Sequence, residues 1–133
     1  MKLSSIEGIG PSYEKKLMSA GLSSIEKLLE QGATAKGRTD ISKKSGIDES
    51  AILGWVNRAD LFRIKGVGSE YSDLLEVAGV DSVPELATRN PANLTTKLVE
   101  VNAEKKIVRR TPTSSMVEDW VAQAKKLPKK VSH

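Results

Sequence analysis

The chain is 133 residues long, 38% hydrophobic and 29% charged, with 21 Lys and Arg against 17 Asp and Glu for a formal net charge of +4. It has no cysteine, and its one histidine is the terminal His133. Disulfides, thiolate metal sites and a histidine general base therefore drop out of consideration. No apolar run of about 18 residues is present to span a bilayer, and residues 1–5 lack the apolar stretch of a signal peptide, so cytoplasmic residence is the expectation.

In chain order, the first recognisable element is Ile6-Glu7-Gly8-Ile9-Gly10-Pro11-Ser12-Tyr13. Two glycines at this spacing permit a tight turn with positive φ, and Ile9 between them points inward. Ser12 is placed to cap a short helix that stops near Ala20-Gly21, where glycine supplies a left-handed end. Ser23 or Ser24 caps the next helix. Residues 41–55 resemble a helix-turn-helix with Gly46 in the turn. The second helix of that pair opens on Asp48, Glu49 and Ser50, which offer no bidentate Arg or Asn to a base edge, so its expected role is structural. Asp48 caps a longer helix, residues 49–61, in which Ile52, Trp55, Val56 and Ala59 recur at three- and four-residue spacing on one face. Ile64-Lys65-Gly66-Val67-Gly68-Ser69-Glu70-Tyr71 then reopens the pattern. Ser69 caps a helix ending near Ala78-Gly79, and Asp81 or Ser82 caps another that tolerates Pro84 in its first turn. Met116, Val117, Trp120, Val121 and Ala124 repeat the tryptophan stripe. Both tryptophans are expected in the core, and Tyr13 and Tyr71 are expected to brace the turns.

These correspondences are a duplication. At an offset of 58 residues, Ile6, Gly8, Gly10, Tyr13, Leu17, Ala20, Gly21, Ser24 and Leu28 meet identical partners. Further on, Trp55-Val56 meets Trp120-Val121 at an offset of 65. The change of offset places seven extra residues in the second copy, around the basic stretch 105–113. The expected fold is all-α: two tandem helical repeats, residues 1–63 and 64–127, packed as one pseudo-twofold domain, with residues 128–133 an irregular tail. By repeat symmetry the last helix is expected to fold back beside the first hairpin and close the domain.

The glycine turns also aim backbone N–H groups outward at a helix start, where unpaired donors and the positive end of the helix dipole suit a phosphate oxygen. The motif Ile-x-Gly-Ile/Val-Gly-Pro, matched through Pro11 in the first copy, resembles the signature of the helix-hairpin-helix superfamily. The full pattern, Ile-x-Gly-hydrophobic-Gly-x-x-Tyr with Ala-Gly downstream, is similar to a family of small prokaryotic proteins that carry tandem helix-hairpin-helix-like units and have no assigned function. The superfamily resemblance implies hairpins that hold the DNA backbone without reading sequence. Proteins that do so often place a Lys, an Arg or a small polar residue just after the second glycine. The first copy has Ser12 there with Lys15 and Lys16 nearby, whereas Glu70, Asp73, Glu76, Asp81 and Glu85 follow the second. The second hairpin is therefore expected to be structural.

Charge is distributed unevenly. Residues 1–47 carry eight Lys and Arg against five Asp and Glu, residues 48–90 four against eight, and residues 91–133 nine against four. Basic clusters fall at Lys36, Arg38, Lys43 and Lys44, at Lys105, Lys106, Arg109 and Arg110, and at Lys125, Lys126, Lys129 and Lys130. No nucleophile–base pair, ligand constellation or marked pair of carboxylates suggests catalysis, a metal or a cofactor. No small-molecule substrate and no membrane partner is implied. Two readings follow. One is a non-enzymatic, sequence-independent module for the nucleic-acid backbone, most simply DNA, using Gly8, Ile9, Gly10, Ser12, Lys15, Lys16, Lys105, Lys106, Arg109 and Arg110. The other is a protein-interaction or scaffolding module on the same fold.

Overall fold

The computed structural model describes residues 1–132; the expectation placed on His133 lies outside the described residues. Among the described residues the chain is all-helical, with eight α-helices, one short 3-10 turn and no strand. It divides into two compact units: Met1–Asp60 together with the chain's end from Lys130, and Leu61–Lys129.

The first unit holds the 3-10 turn Leu3–Ser5, α1 (Pro11–Ser19), α2 (Ile25–Gln31), α3 (Ala35–Ser45) and α4 (Glu49–Leu61), whose last residue is the first of the second unit. Ser24 caps α2 by accepting from the Lys27 N–H at 3.2 Å, and Thr34 caps α3 by accepting from the Gly37 N–H at 3.0 Å. Helix α1 ends in a Schellman arrangement: the Leu22 N–H reaches Leu17 O at 2.9 Å, the Gly21 N–H reaches Met18 O at 3.0 Å, and Leu17 and Leu22 are both buried. Helices α1 and α2 both pack on α3. The core is made of Leu3, Ile6, Leu17, Leu22, Leu28, Ile52 and Val56, each nearly or fully removed from solvent. Burying one such side chain stabilises the fold by about 1.5–3 kcal/mol.

The second unit holds α5 (Ser69–Val77), α6 (Val83–Ala87), α7 (Pro91–Lys105) and α8 (Ser114–Lys126). Ser82, Asn90 and Thr113 cap the last three by accepting from the N–H groups of Glu85, Asn93 and Met116. The end of α5 reproduces that of α1, with the Val80 N–H on Leu75 O at 2.8 Å and the Gly79 N–H on Glu76 O at 2.9 Å. Helix α8 packs on α6 and α7, and α5 packs on α7. The extra length of the second copy lies in α7, which has 15 residues against 11 for α3, and in the connection that follows it, residues 106–113 against residues 46–48.

Two expectations are corrected here, on the caps of α1 and α5 and on Arg38. Ser12 and Ser69 do not cap: Gly10 and Gly68 occupy the extended cap position without a side-chain hydrogen bond, because each helix begins directly after its second glycine. Within each unit a tryptophan covers the hairpin. Trp55 Nε1 lies 3.4 Å from where a Cβ on Gly8 would stand, and Trp120 of α8 takes the same place 3.1 Å from Gly66. Each hairpin is thus roofed by the final helix of its own repeat. Finally, Arg38 is not part of a surface cluster. It is 6% exposed and donates to Gly32 O at 2.8 Å and to Ser132 O at 2.7 Å. With the Ser132 N–H on Ala33 O at 2.8 Å and Val131 1% exposed, it fastens the chain's end to the first unit.

Candidate functional site

The two glycine hairpins have one geometry. The Ile9 N–H bonds to Ile6 O at 3.1 Å and the Val67 N–H to Ile64 O at 3.1 Å, closing four-residue turns whose third residues, Gly8 and Gly66, both have φ of 96°. A positive φ at that position is the mark of a type II turn, and glycine meets it without strain. Ile9 and Val67 are buried and anchor the turns from below. Of the sequence-predicted set, Ile9 therefore holds the hairpin and is covered itself. The second glycines are different. Gly10 and Gly68 have negative φ, and a Cβ on either would meet nothing within 4 Å. Neither the backbone conformation nor the packing of the chain requires glycine there.

Gly8, Gly10, Ser12, Lys15 and Lys16 are all exposed and lie together at the start of α1. Pro11 has no N–H to offer, and the N–H groups of Ser12 and Tyr13 fall in the first turn, where a helix supplies no partner. Tyr13, 42% exposed, meets Trp55 edge to face with ring centroids 5.1 Å apart, and Lys16 Nζ lies 5.8 Å from the Tyr13 centroid, within cation–π range. The nearby carboxylates are Glu7, which is exposed, and Glu14, which is half-buried in the first turn. Farther along, at the start of α2, the Glu26 carboxyl sits below the usual carboxylate range. The cause is chiefly the hydrogen bond from the Met1 ammonium at 2.6 Å, together with a backbone hydrogen bond.

Lys105, Lys106, Arg109 and Arg110 are exposed too, but they belong to the second unit. There they stand beside the second hairpin's own helix, since the Tyr71 hydroxyl donates to Arg110 O at 3.1 Å while the Tyr71 ring lies 5.2 Å from that of Trp120. The predicted residues thus form two groups, one in each unit. Sequence reading gave Tyr71 a bracing role but missed this bond, and it missed Asn102, whose side chain holds both the N–H and the C=O of Val108 at 2.8 and 3.0 Å. An asparagine six residues from a valine carries no periodic signal that would have found it. Four of the other clustered cations have a local explanation: Lys43 and Lys44 end α3, and Lys125 and Lys126 end α8, where positive charge complements the helix dipole. The helix-turn-helix-like pair contributes Glu49, Ser50 and Leu53 to a shallow cleft shared with Ala35, Arg38 and Thr39.

Among the described residues no group of three or more acidic or histidine side chains could hold a metal ion, and no helix is long and apolar enough to cross a membrane. What the fold defines is an all-helical protein with two glycine hairpins, each roofed by a tryptophan and each opening a nine-residue helix. The chain belongs to the family described as a domain of unknown function (DUF4332), whose model matches residues 7–127. No curated protein and no solved structure matches it.

Proposed function

We propose that the protein is a non-enzymatic, cytoplasmic module that binds the nucleic-acid backbone, most simply DNA, without reading sequence, on a duplicated helix-hairpin-helix-like unit. The observation that carries this reading is the open start of α1. Gly10 is bare of neighbours although the chain itself does not need glycine there, and Ser12, Lys15 and Lys16 are exposed beside it. A phosphate oxygen approaching this point would meet main-chain donors, the positive end of the helix and two ammonium groups without displacing any part of the fold. Contacts of this kind position a duplex and leave its bases unread. The acidic α5, with Glu70 in its first turn and Asp73 and Glu76 farther along, favours the second reading, in which the same fold serves a protein partner.

The test is fluorescence anisotropy of the full chain with duplex and single-stranded DNA of mixed sequence across a salt series. Binding is expected at low salt, weakening linearly on logarithmic axes, with little difference between sequences. Replacing Lys15 and Lys16 by Gln should lower the salt slope by about 1.8 on duplex DNA, about 0.9 for each phosphate that is no longer neutralised. Absence of any complex at low salt would remove this reading and leave the protein-interaction one.

A further inference from the structure

We propose that residues 105–113 form a preorganised loop for the phosphodiester backbone of duplex DNA, set in place by Asn102 and Tyr71, and that this loop makes for the second repeat the contact that the hairpin makes for the first. The proposal rests on the nucleic-acid reading above and names where its second half lies. In the first repeat the connection between the third and fourth helices needs only residues 46–48, turning on Gly46 at φ 74°. The second repeat makes the corresponding connection with residues 106–113 and turns on Lys106 at φ 52°, a left-handed conformation that disfavours a side chain. The additional length is therefore not demanded by the path of the chain.

The segment is built rather than slack. Asn102 clasps Val108 through two hydrogen bonds of 2.8 and 3.0 Å, and the Lys106 N–H bonds to Asn102 O at 2.8 Å. Val108 and Pro112 are buried, Ile107 packs against the core of the unit, and the Tyr71 hydroxyl holds Arg110 O at 3.1 Å. Between these anchors Lys105, Lys106, Arg109 and Arg110 all face solvent. None of their charged groups makes a hydrogen bond or ion pair with another of the described residues. Glu104 is the one carboxylate adjoining them in the sequence. Four unpaired cations on an ordered backbone are already arranged when a strand arrives, so little ordering entropy opposes binding. The loop stands beside α5, whose own first turn is acidic, so the loop brings four cations to a helix that offers none of its own.

Two sets of variants test the proposal by anisotropy on duplex DNA over roughly 50 to 200 mM salt. R109A/R110A should lower the salt slope by about 1.8, and R109K/R110K should restore it, because charge carries the term. N102A/Y71F keeps every cation and should weaken binding several-fold while 15N relaxation shows residues 105–111 newly mobile. Thermal melts identify any variant that fails to fold, and Y71F alone, which removes a single exposed hydrogen bond, then serves in its place. If the unaltered chain binds duplex DNA and R109A/R110A leaves the slope unchanged, the loop proposal is overturned while the hairpin reading stands. Undiminished affinity in a folded N102A/Y71F variant with a mobile loop overturns the claim of preorganisation. If the unaltered chain binds no duplex DNA at low salt, the underlying reading fails and takes the loop with it.

Discussion

The four hairpin glycines divide into two kinds, and one substitution made at each separates them. Serine at Gly66 must adopt φ near 96°, at a cost of about 1–2 kcal/mol for an L-residue. Its Cβ would also stand 3.1 Å from Trp120 Nε1, in a tryptophan that is 2% exposed and cannot retreat, which adds about 1–2 kcal/mol of overpacking. The expected loss for Gly66→Ser is therefore about 2–4 kcal/mol. At Gly8 the backbone strain is the same, but Trp55 Nε1 lies at 3.4 Å and gives an ordinary contact, so Gly8→Ser should lose about 1–2 kcal/mol. At Gly10 and Gly68 the backbone is extended, nothing lies within 4 Å of the new Cβ, and serine is a favoured cap, so both variants should stay within about 0.5 kcal/mol of the parent. Urea unfolding followed by circular dichroism, with tryptophan fluorescence as a second probe, measures all four. Equal losses at the four sites, or a Gly68→Ser as damaging as Gly66→Ser, would refute the division.

Arg38→Met keeps much of the side chain's apolar stem but leaves Gly32 O and Ser132 O without their charged donor, and should cost about 2–3 kcal/mol in a urea titration. Removing residues 130–133 should cost a similar amount because Val131 is buried, and the two changes combined should cost clearly less than their sum, because they break one fastening. Trp120→Ala should lose about 3–5 kcal/mol, and Trp120→Phe substantially less. A Trp120→Ala variant that melts like the parent would mean that α8 does not roof the second hairpin.

Much of the local structure was legible in the sequence because it is local or periodic. The glycine turns, the Ala-Gly helix ends, the Ser24 and Ser82 caps and the tryptophan stripes each depend on residues within a few positions of one another, and the duplication displayed them twice. Ser12 and Ser69 misled because a serine beside a turn reads as a cap, while the turn had already given that position to glycine. That Trp55 stands over Gly8 and Trp120 over Gly66 was not legible from the repeat, because only packing decides which turn a tryptophan covers. Arg38 read as a surface charge because its acceptor, Ser132 O, is 94 residues away, and the bond from Tyr71 to Arg110 spans 39. Contacts of that range leave no trace in spacing or composition. The exposed residues at the start of α1 were named from the motif, whereas the order of the basic loop depends on Asn102 and Tyr71, which no motif marked.

The most direct measurement is a 15N–1H correlation spectrum of the full chain titrated with a short DNA duplex of mixed sequence at low salt. A backbone-binding module should show its largest shifts at the amides of Gly10, Ser12 and Tyr13, with a second set at residues 105–110, both fading as salt is raised. A spectrum that does not move, or one whose shifts fall away from both groups, would contradict the idea that these exposed amides and cations are where the protein meets a polyanion.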